Sequence, residues 1–194
     1  MNKKPLVYIT RKLPQKTINI LEDVAEVEMW DKEDVNIPRE LLLSKSKNAS
    51  ALITMLTEKI DGTLLSQAKN MKVISNLAVG YDNVDVTEAS KYNIKVTNTP
   101  DVLTETTADL AFTLLMSTAR RVIESVDYIR NNQWTTWSPM QLAGKDIHNK
   151  TIGIFGMGRI GEAISQRAKG FGMEVIYNSR TKKEEAEKNI MQNM

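Results

Sequence analysis

Three glycines late in the chain have the spacing of a phosphate-binding turn. They lie in Gly156-Met157-Gly158-Arg159-Ile160-Gly161, after an apolar run at 151–155 and before a segment with helical spacing. In such a motif the first glycine permits a tight turn, the second admits a pyrophosphate to the backbone, and the third lets helix and strand pack closely. The helix N-terminus adds amides and a positive dipole end. The pattern therefore predicts a dinucleotide site.

The residues that follow the next strand bear on which dinucleotide binds. An acid that holds the adenosine ribose is expected about 20 residues past the glycines, but that position carries neutral and basic side chains: Asn178, Ser179, Arg180, Thr181 and Lys182, with Lys183 beyond. A guanidinium grips a phosphate well, whereas an acid would repel one. We therefore predict that NADP(H) is preferred and that NAD(H) is possible. A basic surface loop, its charge diluted by two glutamates, is the alternative.

Other chemically capable residues are few. The chain has no cysteine and one histidine, His148, which we expect to be a surface residue of a connecting loop. Glu105 and Asp109 are four residues apart, a spacing more typical of a solvated helix face than of an acid/base pair. No cluster has metal-ligand spacing. We expect no metal, and no catalytic side chain within these residues.

Composition limits the class of protein. The chain has 194 residues, of which 41% are hydrophobic and 26% charged, and its net charge is +2. A weak net charge argues against nucleic acid as a partner. No apolar run reaches the roughly 20 residues that span a bilayer, and the first residues do not resemble a signal peptide. We expect a soluble cytoplasmic protein with no membrane partner.

Short apolar runs alternate with amphipathic ones along the first half of the chain. Strands are predicted at 6–10, 51–54, 72–76 and 94–98, and helices at 15–22, 39–47, 62–69 and 84–91. This alternation predicts a parallel sheet with helices on both faces.

A long helical segment separates this half from the glycine motif. It is predicted from Thr104, as N-cap, to about Arg130, with an apolar face formed by Leu110, Leu114, Ile123 and Val126. An irregular, aromatic-bearing loop follows up to the strand at 151–155. We place the domain boundary within 98–104, giving domains 1–100 and 101–194.

Four stretches together resemble the D-isomer-specific 2-hydroxyacid dehydrogenases, most of all the glyoxylate/hydroxypyruvate reductase branch. They are NLAVGYDNVD (76–85), NTPDVLTETTADLAFTLLMSTARR (98–121), WTTWSP (134–139) and GIFGMGRIGEAISQRAKGFGMEVIYNSR (153–180). The resemblance implies an α/β protein: a flavodoxin-like parallel-sheet substrate domain, then an incomplete, doubly wound Rossmann NAD(P)-binding domain. It also implies hydride transfer between NAD(P)H and a small 2-oxo acid.

The resemblance also assigns roles by position. Val79 and Gly80 match the loop whose amides hold the substrate carboxylate, and Leu56 matches a loop that closes on the substrate. The helical segment that begins at Thr104 matches the family's bridging helix between the two domains. Thr107 matches the point where that helix meets the nicotinamide end of the cofactor. Amides of Arg159 and Ile160 match contacts to the pyrophosphate, and Ser179 to Lys182 match the adenosine phosphate loop. The bridging helix and an arm with Trp134 and Trp137 match the surface of a homodimer.

The family's acid-base machinery is expected elsewhere. In the family an Arg orients the substrate, and a His supported by a Glu protonates the developing alkoxide. All three lie well beyond the second strand of the dinucleotide domain, so we expect these 194 residues to hold none of them and to be inactive alone, as a fragment or an interrupted coding sequence. The alternative is a non-catalytic dimerisation or nucleotide-sensing regulatory protein of the same fold.

Overall fold

The structure is a computed structural model that describes residues 4–182. Its contacts divide the chain into two compact units, Met1–Val102 and Leu103–Met194. Each unit is built around buried apolar side chains of its own. Among the described residues, no helix has both the length and the apolar character needed to cross a membrane.

The first unit is a five-stranded sheet in which every neighbouring pair of strands is parallel. Its strands are β1 (Leu6–Ile9), β2 (Glu26–Met29), β3 (Ala51–Thr54), β4 (Val73–Asn76) and β5 (Lys95–Thr97). They lie in the order β2-β1-β3-β4-β5, which is the flavodoxin-like order. The prediction of a parallel α/β sheet is confirmed. The strand order reverses between β1 and β3, and ligands of such sheets bind outside the carboxyl ends of the strands at this point.

Helices cover both faces of this sheet. They are α1 (Gln15–Glu22), α2 (Arg39–Ser46), α3 (Gly62–Gln67) and α4 (Val86–Lys91). On one face, Ile18 of α1 packs with Val7 and Ile9 of β1. On the other, α2, α3 and α4 pack over Leu52 and Ile74, which are fully buried. Burying a side chain of this size contributes about 1.5–3 kcal/mol, so the central strands hold the unit together.

The second strand, β2, was not predicted from the sequence. Its residues, EVEM, alternate charged and apolar side chains, and they pair with β1 in the register Leu6↔Glu26 to Ile9↔Met29. As an edge strand it is partly exposed, so it lacks the continuous apolar run that marks the central strands. Its pairing with β1 is what makes it a strand.

The second unit begins with two helices, α5 (Thr104–Ala119) and α6 (Val122–Arg130). A connection without helix or strand, 131–150, leads to β6 (Thr151–Phe155), α7 (Arg159–Gly170) and β7 (Glu174–Asn178). In the described residues, β6 and β7 form a two-stranded parallel sheet. Together β6, α7 and β7 form the strand–helix–strand unit that the glycine motif predicts.

The prediction of one continuous helix over 104–130 is wrong. The chain breaks between Ala119 and Val122, where Arg121 adopts a left-handed conformation with φ 53°. The connection folds back at this point, and the amide of Lys145 donates to the carbonyl of Ala119 at 2.7 Å. Gly144 fits against the same carbonyl, since a Cβ there would lie 2.4 Å from it. This long-range hydrogen bond occupies the Ala119 carbonyl, which would accept a bond from the next turn if the helix continued.

Two details of α5 also differ from prediction. Its N-cap is Leu103, without a side-chain hydrogen bond, rather than Thr104. The face that packs into the core carries Ala108 and Phe112. The predicted apolar face is largely exposed: Leu110 and Leu114 on α5, and Ile123 on α6. Those apolar side chains therefore do not belong to the core of this chain.

Candidate functional site

The glycine turn between β6 and α7 has the geometry that its spacing predicts. Gly156 has φ +95°, a conformation that L side chains rarely adopt. A Cβ on Gly158, the N-cap of α7, would meet no atom within 4 Å, so its backbone faces open space. A Cβ on Gly161 would lie 2.3 Å from the carbonyl oxygen of Gly156. The first glycine makes the turn, the second leaves its backbone open to a ligand, and the third allows close packing.

Contacts on both sides hold this turn in place. The side chain of Met157 is fully buried in the core of the unit. The amide of Gly156 donates to the carbonyl of Asn178 at 2.8 Å, and Phe155 pairs with Asn178 in the β6–β7 register. The end of β7 is therefore fixed directly beside the glycine turn.

A pocket of about 650 Å³ opens between the turn and the end of β7. Its lining brings together six of the predicted cofactor residues, Gly156, Gly158, Asn178, Ser179, Arg180 and Thr181, with Met157. Among residues 4–182 no carboxylate lines it, and the first turn of α7, which has no side-chain cap in this part of the chain, adds the positive end of a helix dipole. The residues present therefore fit a ligand that carries phosphates.

The other predicted cofactor residues lie outside this lining. Arg159, Ile160 and Gly161 form the first turn of α7, and Lys182 is the last described residue. Thr107 is half-buried on α5. Lys183 lies outside the described residues.

An arginine joins α5 to α7 near Thr107. The Nε of Arg167 donates to Asp109 Oδ1 at 2.7 Å, and its Nη2 donates to Glu105 Oε2 at 2.9 Å. Hydrogen bonds to Asp109 and Glu105 raise the pKa of Arg167 above its usual value. The side chains of Glu105 and Asp109 remain 72% and 68% exposed, in keeping with the predicted solvated helix face. Both also pair with an arginine that lies 62 and 58 residues further along the chain.

The predicted substrate residues lie at the carboxyl ends of β3 and β4 in the first unit. We call residues 55–60 the Leu56 loop and residues 77–85 the Gly80 loop. The Leu56 side chain is 67% exposed, so it is not a core residue. Asn98 Nδ2 donates to the carbonyl of Val79 at 2.7 Å, and Asn76 Nδ2 donates to that of Gly80 at 2.8 Å.

These bonds fix two carbonyl groups of the Gly80 loop. They do not involve the amide groups of the same residues, which are hydrogen-bond donors. Within residues 4–182, the amides of Val79 and Gly80 donate no hydrogen bond to the backbone. Exposed amides at the carboxyl edge of a parallel sheet suit an anion. The arrangement supports carboxylate binding at these two amides.

Three buried or half-buried polar residues of this edge were not singled out from the sequence. Asn76 ends β4 and is fully buried, Glu58 is 4% exposed, and Asn83 bonds to both. A signal was available, because β3 and β4 end on Thr54 and Asn76, polar residues at positions where an apolar strand would continue. His148, by contrast, is exposed in the connection 131–150, as predicted.

Adding one methyl group at Gly161 is expected to disrupt the glycine turn. In Gly161→Ala the Cβ would lie 2.3 Å from a backbone oxygen, so β6 and α7 must separate. Overpacking of this kind costs about 1–3 kcal/mol. Gly158→Ala is the matched control, because its Cβ meets nothing within 4 Å. Chemical denaturation of both variants measures the difference, and equal free energies of unfolding would contradict the packing role.

The whole chain resembles known dehydrogenases. The family model for the catalytic domain of D-isomer specific 2-hydroxyacid dehydrogenases matches residues 7–194. The chain is 51% identical to the glyoxylate reductase of Thermococcus gammatolerans over 191 residues, which are 96% of this chain and 57% of that protein. The chain thus spans little more than half the length of such relatives.

Solved structures give the same result. A protein from Thermus thermophilus superposes with a TM-score of 0.86 at 42% identity, over 92% of this chain and 57% of its own. A glyoxylate reductase from Paecilomyes thermophila superposes with a TM-score of 0.78 at 27% identity, over 96% and 59%. The match to the family model and the shared fold confirm the resemblance seen in the sequence, and the family uses NAD(P) as its cofactor. This chain belongs to the D-isomer specific 2-hydroxyacid dehydrogenases.

Proposed function

We propose that this chain is part of an NAD(P)H-dependent reductase of small 2-oxo acids of the glyoxylate and hydroxypyruvate type. The observation that carries the proposal is the glycine turn, where Gly158 faces open space and Gly161 tolerates no Cβ. A turn of this shape suits the phosphates of a dinucleotide, since the described residues that line the adjoining pocket of about 650 Å³ include no carboxylate. In the proposed assignment, the second unit, as domain 101–194, holds the cofactor, and the first, as domain 1–100, holds the substrate.

The substrate carboxylate is proposed to bind the amides of Val79 and Gly80. The amide of Thr99 donates to the Ala78 carbonyl at 2.9 Å, and Asn98 donates to the Val79 carbonyl. The peptide groups that carry the Val79 and Gly80 amides are therefore each held in one orientation before any ligand arrives. Such preorganisation lowers the entropic cost of binding. Leu56, exposed on the neighbouring loop, would cover the apolar side of the bound acid.

Reduction needs a hydride and a proton. Bound NAD(P)H supplies the hydride, and the proton must come from a general acid. His148, the one histidine of the chain, is exposed in a connecting loop and has no place in this role. The family's Arg and Glu-supported His are therefore the groups that would complete the site.

NADP(H) is the proposed cofactor. The lining of the pocket includes Arg180 beside Asn178 and Ser179, which together offer a cation and neutral donors where an acid would hold a free ribose. A guanidinium binds phosphate oxygens in a fixed, two-pronged geometry. The charge of this end of the pocket thus favours a 2′-phosphate over a free 2′-hydroxyl.

A homodimer is proposed to cover the exposed apolar side chains of α5 and α6. Leu110 and Leu114 are each 58% exposed. Trp134 and Trp137 are also mainly exposed, in the arm that the resemblance assigns to the dimer. Apolar surface of this extent on neighbouring helices is typical of an interaction site.

Leu114→Glu is expected to convert this dimer into monomers, because it buries a charge in the contact. Light scattering should give twice 21.9 kDa for the unaltered chain and the single mass for the variant. Val24→Glu, at a 67% exposed position of the first unit, is the control and should stay dimeric. A monomeric unaltered chain would contradict the proposal.

The reductase is tested on a complete protein, made by joining these residues to the remaining part of the Thermococcus gammatolerans relative. Adding glyoxylate or hydroxypyruvate to the protein and NADPH should start oxidation of the cofactor, followed by its absorbance. Cofactor binding without oxidation by either acid would overturn the proposal and favour a nucleotide-sensing role.

A further inference from the structure

A buried glutamate lies at the point where the strand order of the first unit reverses. Glu58 is 4% exposed and belongs to the Leu56 loop. Its Oε2 accepts hydrogen bonds from Thr10 Oγ1 at 2.8 Å, Thr54 Oγ1 at 3.1 Å and the Met55 amide at 2.6 Å. Thr10 follows β1 and Thr54 ends β3, so one carboxylate oxygen joins the carboxyl ends of both strands.

The second carboxylate oxygen is also saturated. Oε1 accepts from Thr57 Oγ1 at 2.7 Å and from an Arg11 guanidinium nitrogen at 3.3 Å. Five donors thus converge on one carboxylate, which has about four lone-pair sites.

The same loop is tied to the Gly80 loop. Asn83 Nδ2 donates to the carbonyls of Met55 and Glu58 at 3.1 and 3.0 Å. Asn76 Nδ2 donates to Asn83 Oδ1 at 3.0 Å and to the carbonyl of Gly80 at 2.8 Å. The backbone of Ile60 adds two bonds, to Asn83 and Asp85. Hydrogen bonds therefore run without a break from Glu58 to the loop that carries Val79 and Gly80.

We propose that Glu58 is a positioning residue of the substrate site, which holds the Leu56 loop in place beside the Gly80 loop. The proposal rests on the proposed function, since it concerns the loops assigned to the 2-oxo acid. The carboxylate matters because it only accepts hydrogen bonds, and all five of its partners are donors. An amide at this position would turn an NH₂ group towards donors and lose at least one of these bonds.

The kinetic test compares Glu58→Gln with Glu26→Gln in the complete protein described above. Glu26 is an exposed glutamate of β2, so its variant loses the same charge without a network. Small misplacements of a binding group reduce rates by up to about a hundredfold. We expect KM for glyoxylate to rise about tenfold in Glu58→Gln, with KM for NADPH changed less than about twofold. A merely structural role would raise both constants or lower the amount of folded protein.

Amide hydrogen exchange gives a readout that needs no activity. The Met55 amide donates to the Glu58 carboxylate, so its protection in the 194-residue chain should fall about tenfold or more in Glu58→Ala, which removes the acceptor, and stay unchanged in Glu26→Ala. Thr10→Val removes one of the five bonds without changing side-chain shape. It should give a smaller loss of protection at Met55, so the test can still be read if Glu58→Ala folds poorly.

The outcomes separate the two proposals. Unchanged protection of Met55 in both network variants would overturn the role of Glu58, whatever the activity. Lost protection with an unchanged KM for glyoxylate would also overturn it, because the loop would then not position the substrate. A complete protein that reduces neither acid would overturn the reductase instead, and Met55 would still report whether Glu58 orders the loop.

Discussion

A polypeptide of these 194 residues alone is expected to reduce glyoxylate or hydroxypyruvate at least about a hundredfold more slowly than the complete protein. The loss of a general acid alone removes about two to four orders of magnitude. The residues proposed to bind the acid, Val79 and Gly80, are amide donors, which orient a carboxylate but transfer no proton to the carbonyl. The measurement is NADPH oxidation by the purified polypeptide at saturating glyoxylate.

The control is the complete protein with its catalytic His replaced by Ala. It should be as slow as the polypeptide if the missing acid explains the loss. Normal turnover by the polypeptide would mean that a proton donor lies within these residues. The proposal that the general acid lies outside them would then be wrong.

Replacing Arg180 is expected to change the cofactor preference. Arg180→Ala should weaken NADPH binding by about ten- to a hundredfold, since a charge-assisted hydrogen bond contributes roughly 1.5–3 kcal/mol. NADH binding should hardly change, because NADH has no 2′-phosphate. Titration calorimetry of the complete protein with each cofactor measures both affinities.

Asn178→Asp should have the opposite effect. Asn178 ends β7 beside the glycine turn, held there by the bond from the Gly156 amide to its carbonyl. A carboxylate at this point accepts from a free ribose hydroxyl and repels a phosphate. We expect weaker NADPH binding and stronger NADH binding.

Lys150→Ala is the control for charge alone. Lys150 is an exposed cation that precedes β6, at the opposite end of the strand from the pocket. Its loss should leave the preference between the cofactors unchanged. Equal losses of NADPH and NADH affinity in Arg180→Ala would show that 178–182 is only a basic surface.

The Leu56 loop and the Gly80 loop illustrate how the fold positions short peptide segments. Both follow parallel strands, so they leave the sheet at the same edge. The alternation of strand and helix brings them to that edge, and buried polar side chains then set their conformation. We therefore expect mutations at Thr10, which donates to Glu58, to alter the conformation of the Leu56 loop.

Local features of the sequence were sufficient to predict most of the strands, several helices and the glycine turn. The strands β3 and β6 and the helix α1 lie at the predicted residues, because continuous apolar runs and helical spacing are properties of neighbouring residues. The roles of Gly156 and Gly161 likewise follow from distances within one strand–helix unit. In such elements the interacting residues are close in the sequence, so few alternative conformations compete with the observed one.

Only the tertiary structure decided the features that depend on distant residues. β2 is a strand because it pairs with β1. The helix after Thr104 ends at Ala119, where the Lys145 amide donates to the Ala119 carbonyl and Gly144 packs against it. The Glu58 network joins residues whose positions in the chain differ by up to 48. From the sequence alone a glutamate such as Glu58 is expected to be a charge on the surface. It can be buried as a hydrogen-bond acceptor only where the fold brings enough donors to replace the water that would solvate it.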